Sequence, residues 1–404
     1  MRQRLLIVGG SYAAAELAAH ARESGFEEDI VLVSEELEPP YHRPPLSKAY
    51  LKDPSSGASY LKAPSFYATR NIQLELGVRV VGFDAATNTA TLSNGSSLRF
   101  DLLALTVGAR ARKLPGVDPK LKNVFYLRSV EDAHVLRTAS AEAENIVVIG
   151  AGFIGLEVAS ALAHQDKRVT VIETAPRILA RAVAPELSEF LQAAHGRHGV
   201  DILTARSVKE LVGEGDHIRR VVLEDGMSIN ADIVVVGIGS TPNTALAEQL
   251  GLKCQNGIAV DSKSRTSRPN VYAAGDCTHF EGSYNAAGIR LESVQNATDQ
   301  ARVAAAVIAG LDKTYEALPW FWSDQYDLKL QIAGLPFGAT ERVVRPGTDT
   351  EISTFHFAGD RCVCVESVNR PREHMAARRL LSKSSVTKKD LLDYDFDISA
   401  LLKR

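Results

Sequence analysis

The chain has no cysteine before residue 254 and only four in all, Cys254, Cys277, Cys362 and Cys364. None stands at Cys-x-x-Cys or metal-ligand spacing. A disulfide framework and a cysteine-based metal site therefore lack their sequence signature, and reduced thiols are the reading. No apolar run reaches the ~18 residues that a membrane-crossing helix needs. The start, Met1-Arg2-Gln3-Arg4, passes straight into a short apolar run and a glycine-rich turn, which is unlike a signal peptide, so the expected location is the cytoplasm. Basic excess is missing too. Lys and Arg number 46 against 49 Asp and Glu, a net charge of −3, which argues against a nucleic-acid binder. Low-complexity tracts are absent, and residues 53–59 read as a surface loop.

What remains is ordinary globular material, 45% hydrophobic over 404 residues, enough for two or three domains with sizeable cores. Residues 4–8 form an apolar run that ends at Gly9-Gly10. A stretch of good helix formers follows at 13–23, then a second apolar run at 30–34. That is strand, tight turn, helix, strand. The pattern recurs some 140 residues on, with a run at 145–149, Gly150-Ala-Gly-Phe-Ile-Gly155, a helix over 154–164 and a run at 168–172. Further buried strands are expected at 102–107, 232–237 and 271–274, where continuous apolar character suits a parallel sheet covered on both faces. After Leu318-Pro319 the pattern alternates, as in Lys329–Ile332 and Arg361–Val365, which predicts a smaller antiparallel sheet with terminal helices.

The second turn has the dinucleotide-binding spacing. Gly150 permits the tight turn, Gly152 lets a pyrophosphate approach the backbone, and Gly155 lets helix and strand pack closely. The amides at the helix start, around Phe153 and Ile154, point at the phosphates. Glu173, at the end of the next strand, suits a ribose diol and would repel a 2′-phosphate, favouring NADH. Arg177 and Arg181 lie nearby in sequence and leave NADPH open. The first turn, Gly9-Gly10-Ser11-Tyr12-Ala13-Ala14, is degenerate, with Ser11 at the second glycine position and Ala14 at the third; Glu35 follows at the right distance. Two such turns in one chain suggest a flavin and a nicotinamide cofactor together. Asp276, after a strand and Gly275, has the place of a carboxylate that reaches a ribityl hydroxyl.

Other segments complete a pattern: Tyr41-His-Arg-Pro-Pro-Leu-Ser-Lys48, Thr106-Val-Gly108-Ala109, Gly237-Ile-Gly239-Ser-Thr-Pro242-Asn243, Ala274-Gly275-Asp276-Cys277 and Pro319-Trp-Phe-Trp-Ser-Asp-Gln325. With these the chain resembles, over essentially its whole length, the NADH-dependent ferredoxin reductases of bacterial oxygenase systems. The resemblance implies an α/β fold of two Rossmann-like nucleotide-binding domains (glutathione-reductase-like) plus a C-terminal α+β domain. It implies an FAD domain in two segments, 1–108 and 239–316, an NADH domain at 109–238, and the C-terminal domain at 317–404. FAD and NADH are the implied cofactors, with no metal. Arg43, Lys48, Arg128, Ser293, Val294 and Trp322 join the turn residues as the implied FAD set; Glu157, Arg181, Gly237 and Gly239 join the NADH set. Lys48 corresponds to the family's flavin-side lysine and Glu157 to its partner carboxylate, which holds Lys48 or meets the nicotinamide carboxamide. Glu292 is a second candidate for nicotinamide contact.

The implied chemistry is hydride transfer from NADH to flavin N5, then single electrons to a [2Fe-2S] ferredoxin that feeds a P450 or Rieske-type oxygenase. The protein's task is alignment, and no general acid or nucleophile is needed. Two alternatives share the nucleotide folds. A disulfide- or peroxide-reducing flavoenzyme needs a redox cysteine beside the flavin, and Tyr41–Lys48 has none. A flavoprotein resembling apoptosis-inducing factors calls for a targeting segment and an enlarged C-terminal region. Ferredoxins are generally acidic, so a basic docking face is expected. The candidates are Arg290 and the segment Arg370–Lys389, with seven cations against Glu373.

Overall fold

The computed structural model describes residues 3–163, 167–282, 285–383 and 386–403. The chain divides into two compact units. One comprises Met1–His42, Ala58–Arg110 and Thr241–Pro319; the other comprises Arg43–Gly57, Ala111–Ser240 and Trp320–Arg404.

The first unit is built on a five-stranded parallel sheet in the order Val271–Ala273, Leu102–Leu105, Arg4–Val8, Asp29–Ser34, Ile72–Leu76. Four of its strands are the continuous apolar runs of the sequence, covered on both faces, and the edge strand Ile72–Leu76 alternates. On one face lie the helices Tyr12–Glu23 and Val294–Ile308. Alanines at 13, 14, 18 and 21 and at 297, 301, 304 and 305 share one core and let the two backbones come close. The other face buries Leu6, Val8, Leu103 and Leu105 against Val80, Ala90, Leu92 and Phe100 of an antiparallel meander. Each fully buried aliphatic side chain in these layers contributes on the order of 2 kcal/mol.

The second unit repeats the parallel design, in the order Asp201–Leu203, Arg168–Ile172, Asn145–Ile149, Ile233–Val236, Val124–Phe125. The helix Phe153–Ala163 is buried on nearly every side, as its apolar composition demands; residue 164, the expected end, lies outside the described residues. The C-terminal part is a five-stranded antiparallel sheet, Trp320–Gln325, Leu328–Gly334, Arg361–Val368, Ile352–Ala358, Glu341–Arg345, followed by the helix Pro371–Lys383. Gly334 (φ +84°) sits where a side chain would strike the Val363 carbonyl.

Residues 43–57 belong by packing to the second unit, although residues 1–42 and 58–110 belong to the first. Arg137 explains this. Its guanidinium donates to the carbonyls of Tyr50, Asp53 and Ser56 and lies 4.3 Å from the centre of the Tyr50 ring. Leu51 is buried in the same core as Leu136 and Leu162. Among the described residues, no helix is long and apolar enough to cross a membrane.

Candidate nucleotide sites

In each unit, the parallel register gathers the predicted residues at the carboxyl ends of neighbouring strands, where open α/β sheets bind ligands. In the first unit, Val8 pairs with Val33 and Leu105, and Leu105 with Ala273. Gly9, Glu35, Thr106 and Gly275 therefore follow strand ends lying side by side. Gly9 has φ +126°, and a Cβ there would stand 2.3 Å from the Thr106 carbonyl oxygen; its amide donates to Val33 at 2.9 Å. Gly10 is closed as well, by Ser34 Oγ at 2.2 Å. Ser11 replaces the usual glycine just outside this tight part. Its backbone is extended (φ −131°), and Tyr12 begins the helix. The turn thus accommodates the departure from the motif. Tyr12 Oη shares a hydrogen bond of 2.7 Å with His42 Nδ1, and Ala13 and Ala14 are buried. Glu35 is exposed.

Gly275 (φ +88°), before Asp276, donates its amide to Gln300 Oε1 at 2.9 Å, and Thr278 Oγ1 donates to the same oxygen at 2.8 Å. Ser293 caps the helix that Val294 opens, by accepting from the Asn296 amide. Asn296 Nδ2 donates to the Leu291 carbonyl at 3.0 Å. Gln300 and Asn296 are buried polar residues that shape this site, and sequence reading missed them. Their only signal was two polar residues inside an otherwise small-residue helix face. Gly108 has φ +60°. Arg290 forms an ion pair with Glu292, which engages one docking candidate and one nicotinamide candidate with each other. The Arg290 side chain is only 12% exposed, a poor match to a docking surface.

Cys277 is fully buried. Its Sγ donates to the Ala274 and Leu105 carbonyls, and burial pushes the thiol up to about 12. A thiol that stays protonated is not a nucleophile.

In the second unit, Ile149 pairs with Ile172 and Val236, so Gly150, Glu173 and Gly237 converge. Gly150 (φ +103°) has no room for a side chain, with the Gly237 carbonyl 2.5 Å from a built Cβ. At Gly155 the Gly150 carbonyl would be 2.0 Å away. At Gly152, by contrast, the nearest atom is 4.0 Å from a built Cβ. Two glycines close the turn and the middle one leaves open space over it, which fits a pyrophosphate lying on the backbone. Glu173 Oε2 accepts from the Ala151 amide at 2.7 Å and Oε1 from Ala175 at 2.8 Å, so the carboxylate is fixed beside the turn. Of the two nearby arginines, Arg177 is spent on the Val183 and Ala180 carbonyls and Ser188 Oγ, while Arg181 is exposed. Ile154 is exposed, Phe153 packs on Phe321 with ring centres 4.4 Å apart, and Gly239 has φ +101°.

Glu157 is the fifth residue of its helix, starting the second turn, and is buried. Lys48 Nζ lies 2.6 Å from its Oε2, the pairing that the resemblance implies. Ser47 Oγ donates to the same oxygen at 2.5 Å and Ser323 Oγ donates to Oε1 at 2.6 Å. Both carboxylate oxygens are thus engaged by protein donors. Arg43 donates to the Arg128 carbonyl at 2.8 Å. Trp322 stacks on Trp320 with centres 5.5 Å apart, and the Arg378 guanidinium lies 4.0 Å from the Trp320 ring centre. Within the basic segment, Arg370 is turned inward onto Ser353, Glu351 and Glu373, and Lys388 pairs with Glu341. Arg372, Arg379, Lys383 and Lys389 are exposed; residues 384–385 lie outside the described residues.

The sequence matches two family models, pyridine nucleotide-disulphide oxidoreductase over residues 3–301 and reductase C-terminal over residues 320–402. It is 42% identical to rhodocoxin reductase of Rhodococcus erythropolis, over 99% of this chain and 94% of that protein. Two solved structures superpose closely. A ferredoxin reductase for the CYP199A2 system from Rhodopseudomonas palustris gives a TM-score of 0.94 at 39% identity, covering 99% of each chain. The reductase in a covalent putidaredoxin reductase–putidaredoxin complex gives 0.93 at 38% identity, again covering 99% of each chain. These likenesses span both nucleotide-binding units and the C-terminal sheet. The chain belongs to the pyridine nucleotide-disulphide oxidoreductase family, the flavin oxidoreductases that use FAD and NAD(H), among its ferredoxin reductases.

Proposed function

We propose that this protein is an NADH-dependent ferredoxin reductase of a bacterial oxygenase system, acting in the cytoplasm. The observation that carries the reading is the second unit's glycine turn, closed at Gly150 and Gly155 and open at Gly152, in a chain whose other unit carries a second nucleotide turn. The near full-length relatives are reductases for iron–sulfur proteins, which supports a [2Fe-2S] ferredoxin as partner and a P450 or Rieske-type oxygenase downstream. When bound, FAD takes two electrons from NADH and passes them on singly.

The chain's own residues bind, orient and exclude. Gly9, Ser11 and the start of the helix Tyr12–Glu23 are proposed to hold the FAD pyrophosphate, Glu35 the adenosine ribose and Asp276 the ribityl chain. Thr106, Gly108, Arg43, Arg128, Gly275, Ser293, Val294 and Trp322 complete the proposed FAD set. In the second unit, Gly152 and the amides at Phe153 and Ile154 take the NADH pyrophosphate. Glu173 takes the ribose diol, and its fixed negative charge disfavours a 2′-phosphate. Lys48 is proposed as the flavin-side cation, with Glu157 as its anchor rather than a free nicotinamide ligand, because both of its oxygens are engaged.

Stopped-flow reduction by NADH, followed by cytochrome c reduction with and without a [2Fe-2S] ferredoxin, tests the reading. Turnover is expected to be rapid only with the ferredoxin. Rapid turnover with a disulfide substrate instead overturns it.

A further inference from the structure

Behind Glu157 runs a line of polar side chains that the reading above does not use. Ser323 Oγ, on Glu157 Oε1, itself accepts from Gln325 Nε2 at 3.2 Å. Gln325 Oε1 is 2.9 Å from His195 Nε2, and His195 Nδ1 is 3.0 Å from Tyr326 Oη. Glu157, Ser323, Gln325 and His195 are each no more than 4% exposed. The sequence builds the line simply. Ser323 and Gln325 stand two apart on one strand and so share a face, while His195 is in the last turn of the helix Pro185–Arg197. Tyr326 adopts φ +56°, a left-handed turn, and its ring stacks at 3.7 Å on His198.

The line has only one consistent polarity. Glu157 is acceptor-only when ionised, so Ser323 spends its single hydrogen there. Ser323 must then accept from an amide N–H, which fixes Gln325 with its nitrogen toward Ser323 and its oxygen toward His195. That oxygen needs a donor, which makes His195 the Nε2–H tautomer, and leaves Nδ1 to accept from the Tyr326 hydroxyl. Burial lowers the His195 pKa to about 4, which agrees with a neutral ring. Every group inside the chain is matched, the condition under which a buried polar network is rigid rather than costly.

We infer that Tyr326, His195, Gln325 and Ser323 are positioning residues, a one-way hydrogen-bond chain that fixes the Glu157 carboxylate and through it the ammonium of Lys48. The inference rests on the proposed function only in giving Lys48 a role in flavin reduction; the chain itself is a property of the second unit.

The test uses the FAD-loaded enzyme and four variants. Ser323→Ala removes the donor to Glu157. Gln325→Glu, nearly the same shape, replaces a donor to Ser323 with an acceptor that draws the serine hydrogen away. Ser323→Thr keeps the hydroxyl and is the rescue, and Lys48→Ala is the reference. Two quantities are read: hydrogen exchange of the Lys48 ammonium by NMR on 15N-lysine protein, assigned by its loss in Lys48→Ala, and the rate constant of flavin reduction against NADH concentration. Ser323→Ala and Gln325→Glu are expected to speed Lys48 exchange about tenfold and slow flavin reduction about tenfold, with the NADH dissociation constant within about twofold. Ser323→Thr should restore both. Unchanged exchange in Ser323→Ala and Gln325→Glu overturns the inference. If Lys48→Ala itself leaves flavin reduction unchanged, the role proposed for Lys48 fails, and the exchange measurement still decides the chain.

Discussion

Gly152 and Gly155 stand three residues apart in the same turn and face opposite demands. A methyl group at 155 meets the Gly150 carbonyl at 2.0 Å, so helix and strand must separate; one at 152 meets nothing nearer than 4.0 Å. Gly155→Ala is therefore expected to destabilise the protein by about 3 kcal/mol, with the loss of activity following from the loss of fold. Gly152→Ala should stay within about 1 kcal/mol of the parent in denaturant melts while the KM for NADH rises tenfold or more. An unchanged KM in Gly152→Ala would remove the nucleotide from this turn. Cys277 poses the opposite question, whether a conspicuous residue does anything chemical. With its thiol pushed up to about 12 and sealed from solvent, it should resist alkylation in the native protein at pH 8 and react once denatured. Mass spectrometry of the alkylated peptide reads this directly, and rapid native labelling would reopen the disulfide-reducing alternative.

Elements carry more than the motif does. The helix Pro371–Lys383 and the residues after it look uniformly basic in sequence, yet packing divides their charges. Arg370 is committed to Ser353 and two acids, Lys388 to Glu341 and Arg378 to the Trp320 ring, whereas Arg372 and Arg379 face solvent. The candidates for a docking role are the cations left exposed, Arg372, Arg379, Lys383 and Lys389. Arg379→Glu is expected to raise the ferredoxin KM several-fold and to weaken its salt dependence, with flavin reduction by NADH untouched; an unchanged KM and salt slope would clear this helix from the interface. The same contrast shows what the sequence disclosed. The strands at 4–8, 30–34, 145–149 and 168–172, and the glycine positions between them, were legible because sheet and turn are local consequences of apolar runs and φ preference. Gln300, Ser323 and His195 were not, because their roles depend on partners 22 to 166 residues away. The assignment of residues 43–57 to the second unit was hidden for the same reason: it turns on Arg137, a residue with no motif around it.

At the scale of the molecule, the buried polar groups set how the protein answers to pH. Burial lowers the pKa of both His195 and His374 to about 4, with a smaller push from His198 on the first and from Arg378 on the second, and the Gln325 hydrogen bond opposing it at His195. Both rings are therefore neutral in the fold. In the unfolded chain they take up protons near pH 6.5. Between about pH 6.5 and 4, then, the unfolded state binds more protons than the native one, and stability falls as the pH drops through that window. Above it these two residues leave stability level. The effect is on the order of 2–3 kcal/mol for each ring. His374 isolates the argument, since neither ring nitrogen has a hydrogen-bond partner among the described residues and the ring packs edge-on against Trp320 at 5.9 Å. His374→Phe keeps that contact and discards the titrating group. Its melting temperature should gain several degrees over the parent at pH 5 and much less at pH 7.5, so that the difference between the two proteins grows as acid is added. A constant difference across the window would mean that His374 carries the same charge folded and unfolded, and that the acid sensitivity of this unit lies with other groups.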